Sequence, residues 1–203
     1  MHADAEQHLS QADPVLARVI RKVGPCKLRP RRNLQPFQSL VQAVTHQQLN
    51  GTAAQAILKR FIALFPREKF PRPEAILAAP DERLRSAGLS GAKTAAIKDI
   101  AHKTTTGNVP TRREAARLSD EELVARLTEI RGVGPWTVEM FLIFTLGRRD
   151  VLPVGDYGVR CGFAKAYGWK ALPTPKELLA EGERWRPYRS IASWYMWRVL
   201  ELK

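Results

Sequence analysis

The stretch RGVGPWTVEM, residues 131–140, joins two segments of helical apolar spacing and decides how the fold is interpreted. Gly132 and Gly134 each cost about 1 kcal/mol relative to alanine inside a helix, so they interrupt one here. Glycine adopts positive φ and permits close backbone approach, while Pro135 suits a first helical turn. The stretch therefore predicts an αα-hairpin within residues 127–146.

The second helix of this hairpin begins with N–H groups that lack partners within the helix and carry the positive end of its dipole. Such an end binds phosphate without reading bases. A similar signal lies at residues 84–93, where a glycine ends one helix and Ser90 caps the next. The alternative is an ordinary helix corner with a C-capping glycine. The candidate phosphate contacts are Gly132, Gly134, Thr137, Gly91 and Lys93.

The charge of the chain favours a phosphate-bearing partner. Its 203 residues are 44% hydrophobic, which is enough for a core, and carry a net charge of +13. Basic clusters lie at residues 27–32, 147–149 and 183–189, which favours nucleic acid over a merely basic surface. The sequence contains neither an apolar run of the roughly 18 residues that span a membrane nor a signal-peptide pattern. We therefore expect a soluble intracellular protein.

The two cysteines exclude a four-cysteine metal site. Cys26 and Cys161 are far apart and lack CxxC spacing, so neither a zinc nor an iron–sulfur cluster of that kind is expected. Two half-buried thiols are predicted instead of a disulfide. His46 lacks partners at metal-ligand spacing and is interpreted as structural.

Apolar residues recur at helical spacing along nearly the whole chain, so the sequence predicts an all-α fold. Ser90 is a predicted N-cap, and Ser119 forms a capping box with Glu122. The predicted helices cover residues 14–20, 36–49, 51–65, 91–104, 122–130, 135–146, 157–167, 175–183 and 188–201.

Residues 127–160, LTEIRGVGPWTVEMFLIFTLGRRDVLPVGDYGVR, resemble the helix–hairpin–helix (HhH-GPD) DNA glycosylases, in which a Gly/Pro-rich loop and an aspartate follow the hairpin. The sequence is most similar to the 3-methyladenine DNA glycosylase II (AlkA-like) branch. Further similarity runs through residues 40–57, 84–101 and 186–197, and in total it spans about residues 13–200. The hairpin, the LP-x-x-D segment and the W-R-P-x-R-S segment occur in the family's order.

This resemblance implies a two-lobed helical fold with a DNA cleft between the lobes and without the N-terminal β domain of some larger relatives. Residues 1–50 and 150–203 are expected to form one helical lobe. Residues 51–149 are expected to form a central helical lobe that contains the hairpin.

The resemblance also assigns a catalytic carboxylate. Asp156 occupies the position of the family aspartate that stabilises an oxocarbenium-like sugar cation and orients the attacking water. Relatives often carry a second acidic residue just before it, but here that residue is Gly155. The alternative is that Asp156 serves only as a helix N-cap.

The hairpin tryptophan separates two mechanisms within the family. Relatives that also cut the DNA strand use a lysine nucleophile two residues after the second hairpin glycine. That position is Trp136 here, and an indole forms no imine. The resemblance thus implies a monofunctional glycosylase in which water attacks and an abasic site is the product.

The flipped base needs aromatic side chains to stack on. Trp136, Tyr157 and Trp197 match base-pocket positions of the alkylpurine branch, and Met140 stands where relatives can have a pocket tyrosine. Cationic alkylpurines are attracted to an indole face. The alternative for each is core packing, which we expect for the other tryptophans, namely Trp169, Trp185 and Trp194.

The segment HQQLN, residues 46–50, matches the family's intercalating segment. Gln48 fits the plug that fills the vacated stack, Leu49 is the second candidate, and Asn50 is placed to probe the minor groove. The alternative is an amide-rich helix end at which Asn50 acts as a cap.

The resemblance further implies a monovalent cation at the hairpin, held by the main-chain carbonyls of Thr128, Ile130 and Val133, and no required cofactor. The expected partner is double-stranded DNA with alkylated bases, bound by a monomer, in the bacterial cytoplasm with the nucleoid or in a eukaryotic nucleus. Two alternatives stay open. One is a glycosylase for oxidised or mismatched bases, and the other is a non-catalytic DNA-binding module.

Overall fold

The computed structural model describes residues 2–31, 33–49 and 51–202, and the regular elements in these ranges are all helical, which confirms the predicted all-α class. The α-helices are Ala3–Ala12 (α1), Pro14–Val23 (α2), Pro36–His46 (α3), Gly51–Ala63 (α4), Pro73–Ala78 (α5), Asp81–Arg85 (α6), Gly91–Thr105 (α7), Arg112–Ala115 (α8), Asp120–Leu127 (α9), Pro135–Phe141 (α10), Tyr157–Tyr167 (α11), Pro175–Gly182 (α12) and Arg189–Val199 (α13). A π-helical turn, Leu142–Leu146, follows α10, and a 3₁₀ turn, Glu183–Trp185, follows α12.

The chain divides into two compact units. The first unit comprises Met1–Pro30 and Leu142–Lys203, and the second comprises Arg31–Phe141. These bounds differ from the expected lobes, 1–50 with 150–203 and 51–149, because α3 packs on helices of the second unit, namely α4, α7 and α10. The π-helical turn belongs to the first unit, since its Phe144 stacks on Trp197.

The core of the first unit lies between α1, α2, α11 and α13. Trp185, Tyr195 and Phe163 are fully buried there, together with leucines of α1 and α2. Asp13 caps α2: its Oδ1 accepts the N–H groups of Val15 and Leu16 at 2.9 and 3.1 Å. Its Oδ2 accepts the indole N–H of Trp185 at 3.0 Å and the hydroxyl of Tyr167.

The core of the second unit forms where α7 packs against α3 and α5. Ile97 and Ile100 of α7 are fully buried, as are Phe61 of α4 and Ile76 of α5. The two predicted helix starts are confirmed. The Ser90 hydroxyl accepts the N–H of Lys93 at 3.3 Å. The capping box has its two hydrogen bonds between Ser119 and Glu122 at 2.7 and 3.1 Å.

Three short or polar helices, α1, α5 and α8, are absent from the sequence prediction, whereas the helix expected before Gly88 is α6. In α1 only Ala5 and Leu9 face the core, which leaves too few apolar residues for a recognisable period. The predicted helix 36–49 ends earlier, at His46, because the next residue turns to φ −55° and ψ 134°. Within the described residues, no helix is both long and apolar enough to cross a membrane.

Candidate functional site

The loop before α11 is fastened to the start of α13. The Asp150 carboxylate accepts Nε of Arg189 at 2.8 Å. The Ser190 hydroxyl accepts the N–H of Val151 at 2.9 Å, and the Ser190 N–H donates to the carbonyl of Arg149 at 3.0 Å. These hydrogen bonds hold the loop, and with it Asp156, beside α13.

Asp156 is the N-cap of α11 and is 9% exposed. Its Oδ1 accepts the N–H of Val159 at 2.7 Å, so the capping role considered from the sequence is present. The same oxygen accepts Nε1 of Trp197 at 2.8 Å, a bond that capping does not require. Two donors on one oxygen fix the orientation of the carboxylate, and the helix N-terminus favours its negative charge.

The sequence predicted a stacking surface at Trp197, and the structure shows a hydrogen bond from its indole to Asp156, which was not predicted. Its indole ring stacks on Phe144, with ring centroids 5.6 Å apart and an interplanar angle of 29°. Tyr157, directly after Asp156, is 70% exposed, and a hydrogen bond with Cys161 raises the pKa of its hydroxyl. Phe144 was not identified from the sequence, where it stands in an apolar helical run without a distinguishing signal.

The hairpin turn lies between α9 and α10 in the second unit. Gly132 has φ +75°, and a Cβ there meets the Cβ of Ala96 at 3.1 Å, so its own fold requires glycine. Gly134 has no positive φ, and a Cβ there meets nothing within 4 Å. The reason for glycine at residue 134 is therefore not found within the described chain.

Two of the predicted pocket residues lie on α10, one turn apart. Trp136 is 45% exposed, while Met140 is half-buried. These two belong to the second unit, whereas Tyr157 and Trp197 belong to the first. Thr137, a candidate phosphate contact, is buried instead, and its hydroxyl is 3.4 Å from Nε2 of Gln47.

The candidate plug follows α3. Gln48 is exposed and has φ +56°, the one positive φ of a non-glycine among the described residues. Leu49, the second candidate, is also exposed, and Asn50 lies outside the described residues. A left-handed residue of this kind costs about 1–3 kcal/mol and persists where its surroundings impose it.

Two side chains hold the segment before the plug. Nζ of Lys93 donates to the carbonyls of Thr45 and Gln47, both at 2.8 Å. The phosphate contact by Lys93 stays a prediction; in the structure its ammonium group binds the end of α3, and burial lowers its pKa. Nε2 of Gln47 donates to the carbonyl of Gly132 at 2.9 Å, which ties this segment to the hairpin. Gln47 stood next to the predicted plug, but no sequence signal separated the two glutamines.

An open groove of about 620 Å³ collects most of these second-unit residues. It is lined by His46, Gln47, Gln48, Leu49, Gly134, Trp136 and Thr137. The candidate plug, the unexplained hairpin glycine and the exposed indole thus share one surface. Gly91, the other candidate phosphate contact, is exposed at the first residue of α7.

Several basic residues of the predicted clusters are engaged within the first unit. Arg149 pairs with Asp4 at 2.7 Å, and Arg186 and Arg189 both pair with Asp150. The positive charge of these three arginines is therefore partly offset by carboxylates of the same unit. At the hairpin, the carbonyl of Ile130, one of the three predicted cation ligands, accepts the N–H of Val133 at 3.0 Å.

The two cysteines agree with the sequence prediction of half-buried thiols. Cys26 and Cys161 are free and half-buried, and burial raises the pKa of Cys26 to about 11. Within residues 2–31, 33–49 and 51–202, no group of three or more His, Cys, Asp or Glu side chains is placed to hold a metal ion. A monovalent cation on the carbonyls of Thr128, Ile130 and Val133 stays a prediction.

Comparison with known proteins places this arrangement in a family. Residues 41–187 match the HhH-GPD superfamily base excision DNA repair protein. The chain is 41% identical over 201 residues to DNA-3-methyladenine glycosylase 1 of Schizosaccharomyces pombe, which covers 98% of this chain and 87% of that protein. It is 34% identical over 199 residues to the alkylbase DNA glycosidase-like protein mag2 of the same organism, covering 98% and 93%.

A solved structure agrees with the sequence match. The Schizosaccharomyces pombe 3-methyladenine DNA glycosylase Mag1, in complex with abasic DNA, matches with a TM-score of 0.89 at 41% identity. The match covers 98% of this chain and 97% of that chain. The chain therefore belongs to the HhH-GPD superfamily of base excision DNA repair proteins.

Proposed function

We propose that this protein is a monofunctional DNA glycosylase of the 3-methyladenine DNA glycosylase II type. It hydrolyses the N-glycosidic bond of alkylated bases in double-stranded DNA and leaves an abasic site for base excision repair. The observation that carries the proposal is the Asp156 carboxylate, held by the Trp197 indole and the start of α11. The relative that is 41% identical is named for 3-methyladenine.

Asp156 stabilises the sugar cation that develops as the base departs. In a largely buried site a fixed carboxylate interacts with that cation more strongly than it does in water. Because Val159 and Trp197 already hold Oδ1, the carboxylate does not have to reorient as the charge develops. The same group orients the water that adds to C1′.

The leaving base needs no general acid when it is alkylated. A 7-methylguanine or 3-methyladenine base carries a positive charge in the nucleotide and leaves as a neutral molecule. Water then supplies the hydroxyl on C1′, and one proton passes to solvent. The exposed indole of Trp136 attracts such a cationic base by cation–π interaction once the base is flipped out.

Water rather than a protein amine is the nucleophile. Trp136 occupies the position of the lysine in the strand-cutting relatives and forms no Schiff base. Lys93, the lysine of the second helix-start signal at residues 84–93, donates to the carbonyls of Thr45 and Gln47. We therefore assign glycosylase activity without strand cleavage.

The second unit provides the contacts to DNA. The N–H groups at the hairpin, around Gly132 and Gly134, and at the exposed start of α7, around Gly91, bind phosphates. Gln48, fixed in a left-handed conformation, fills the space of the flipped base. The reaction takes place wherever the genomic DNA lies, in the nucleoid of a bacterium or the nucleus of a eukaryote.

A panel of duplexes with single lesions tests this function. We expect release of 3-methyladenine and 7-methylguanine and no release of 8-oxoguanine or of thymine from a G·T mismatch. Asp156→Asn serves as the catalytic control and lowers the single-turnover rate about 100- to 1,000-fold. Asp81→Asn, an exposed change on α6, leaves the rate unaltered.

Outcomes that contradict the proposal are specific. Release of an oxidised or mismatched base in preference to alkylated ones assigns another glycosylase class. Binding without any turnover assigns a non-catalytic module. A covalent protein–DNA adduct trapped by borohydride shows that an amine, not water, attacks.

A further inference from the structure

Two glycines of α11, Gly158 and Gly162, lie one turn apart on the face that packs against α13. Neither has a positive φ, so neither is glycine for the sake of an unusual backbone conformation. Glycine inside a helix costs about 1 kcal/mol relative to alanine, and two in one turn call for a reason.

Gly162 brings the two helices into backbone contact. A Cβ at residue 162 lies 2.0 Å from the carbonyl oxygen of Met196 and 2.6 Å from its carbonyl carbon. Because these are main-chain atoms of a helix, no side-chain rotation relieves the overlap. Gly162 therefore sets the distance between α11 and α13.

Gly158 has different neighbours. A Cβ at residue 158 lies 2.9 Å from Cδ1 and 3.2 Å from Nε1 of Trp197, and 3.2 Å from Oδ1 of Asp156. These last two atoms are the donor and the acceptor of the 2.8 Å hydrogen bond. A methyl group at residue 158 crowds that bond directly, and Phe144, stacked on the indole, limits the space into which Trp197 can withdraw.

We propose that Gly158 is a positioning residue for base release, because the absence of a side chain there lets Trp197 reach Asp156. This inference rests on the proposed glycosylase function, since the hydrogen bond matters for rate only if Asp156 is catalytic. Gly162 holds the helices, whereas Gly158 holds the carboxylate through the indole. The reaction, rather than folding, therefore requires glycine at residue 158.

The test compares Gly158→Ala with Trp197→Phe and with the double variant, measuring single-turnover release of 7-methylguanine. We expect Gly158→Ala and Trp197→Phe each to lose about 10-fold in rate, as for weakening one hydrogen bond to a charged group. The double variant is no slower than Trp197→Phe alone. Binding of a duplex with a stable abasic-site analogue stays within about 2-fold of the unsubstituted protein, as expected when only the chemical step is affected.

A spectroscopic signature separates positioning from packing. The indole N–H signals of the five tryptophans are recorded with ¹⁵N labelling, and the signal lost in Trp197→Phe identifies Trp197. A carboxylate acceptor moves an indole proton downfield, so we expect this signal to move upfield in Gly158→Ala. Gly162→Ala is the packing counterpart, and we expect it to lower the melting temperature. Gly51→Ala controls for the change itself, since a Cβ there meets nothing within 4 Å.

The outcomes distinguish this inference from the proposed function. If the unsubstituted protein releases no alkylated base, the function fails first. If it does, but Gly158→Ala releases at the same rate, or the Trp197 signal does not move, Gly158 is not a positioning residue and the function stands. If Gly158→Ala is less stable, the rates are measured well below its melting temperature, and a double variant slower than Trp197→Phe overturns the inference.

Discussion

Asp13 and Asp156 have the same local role in the first unit and differ in what surrounds them. Each caps a helix with Oδ1, and each accepts an indole N–H, Asp13 from Trp185 at 3.0 Å and Asp156 from Trp197 at 2.8 Å. Asp13 is 1% exposed, and the hydroxyl of Tyr167 also donates to it. Asp156 is followed by the exposed Tyr157, and its Oδ1 lies beside Gly158, which has no side chain.

The comparison shows that an aspartate cap with an indole donor is not by itself a catalytic device. Around Asp13 the partners fill the site, and the carboxylate serves folding. Around Asp156 the same bonds fix a carboxylate beside an exposed aromatic residue. Whether an aspartate with an indole donor serves folding or catalysis therefore depends on which groups its neighbours leave accessible.

Exchanging each carboxylate for an amide gives the largest expected contrast. Asp13→Asn places an NH₂ group among donors and costs about 3 kcal/mol of unfolding free energy, which lowers the melting temperature by roughly 10 °C. The release rate per folded molecule stays unaltered. Asp156→Asn behaves in the opposite way, with a rate loss of about 100- to 1,000-fold and a melting temperature nearly unchanged. Calorimetry and single-turnover release measure both, and a shared phenotype contradicts the contrast.

Substitution of Trp197 is expected to lower the release rate, and substitution of Trp185 is expected to lower stability. Trp197→Phe removes a donor from Asp156 and lowers the release rate about 10-fold. Trp185→Phe removes the donor to Asp13 and leaves a void in the core, which costs about 2 kcal/mol of stability without a comparable loss of rate. A rate loss in Trp185→Phe that exceeds its unfolded fraction contradicts this distinction.

The stability that Asp13 contributes is expected to depend on pH. Burial by itself raises the pKa of Asp13, but the hydrogen bonds from Tyr167 and Trp185 outweigh it, so the pKa is lowered. The unfolded chain therefore takes up the proton first, and the stabilisation is present above the ordinary aspartate pKa and is lost as pH falls through the folded value. We expect the unfolding free energy of Asp13→Asn to fall less below about pH 4 than that of the unsubstituted protein. Denaturant titrations at a series of pH values measure this, and parallel curves contradict it.

Local signals in the sequence predicted most of the helices and the hairpin. Ser90, the Ser119 capping box and the hairpin glycines each act within a few residues, so their effect can be read from neighbouring letters. The family resemblance added the role of Asp156. Short helices such as α5 and α8 were missed because they offer fewer than two turns of apolar spacing.

Contacts between distant residues could not be predicted in this way. Lys93 looked like a phosphate ligand beside a helix start, but its carbonyl partners lie at Thr45 and Gln47, more than forty residues away. Trp197 is 41 residues from Asp156, so the reason for glycine at residue 158 has no local sign. The unit boundaries shifted for the same reason, since the partners of α3 are set by packing.

The two hairpin glycines differ in the same way: the fold itself requires Gly132, whereas Gly134 is proposed to serve contact with DNA. Gly132 has φ +75° and a close neighbour in Ala96, so Gly132→Ala is expected to cost about 1–2 kcal/mol of stability. Gly134 has neither constraint, so Gly134→Ala keeps the melting temperature and instead weakens binding to damaged and undamaged duplexes alike, about 5-fold. The slope of log affinity against log salt stays nearly unchanged, because a backbone N–H carries no net charge and releases no counterion of its own. Fluorescence anisotropy at several salt concentrations measures both quantities. A loss confined to lesion-bearing DNA places Gly134 in base recognition instead, because a phosphate contact reads no bases.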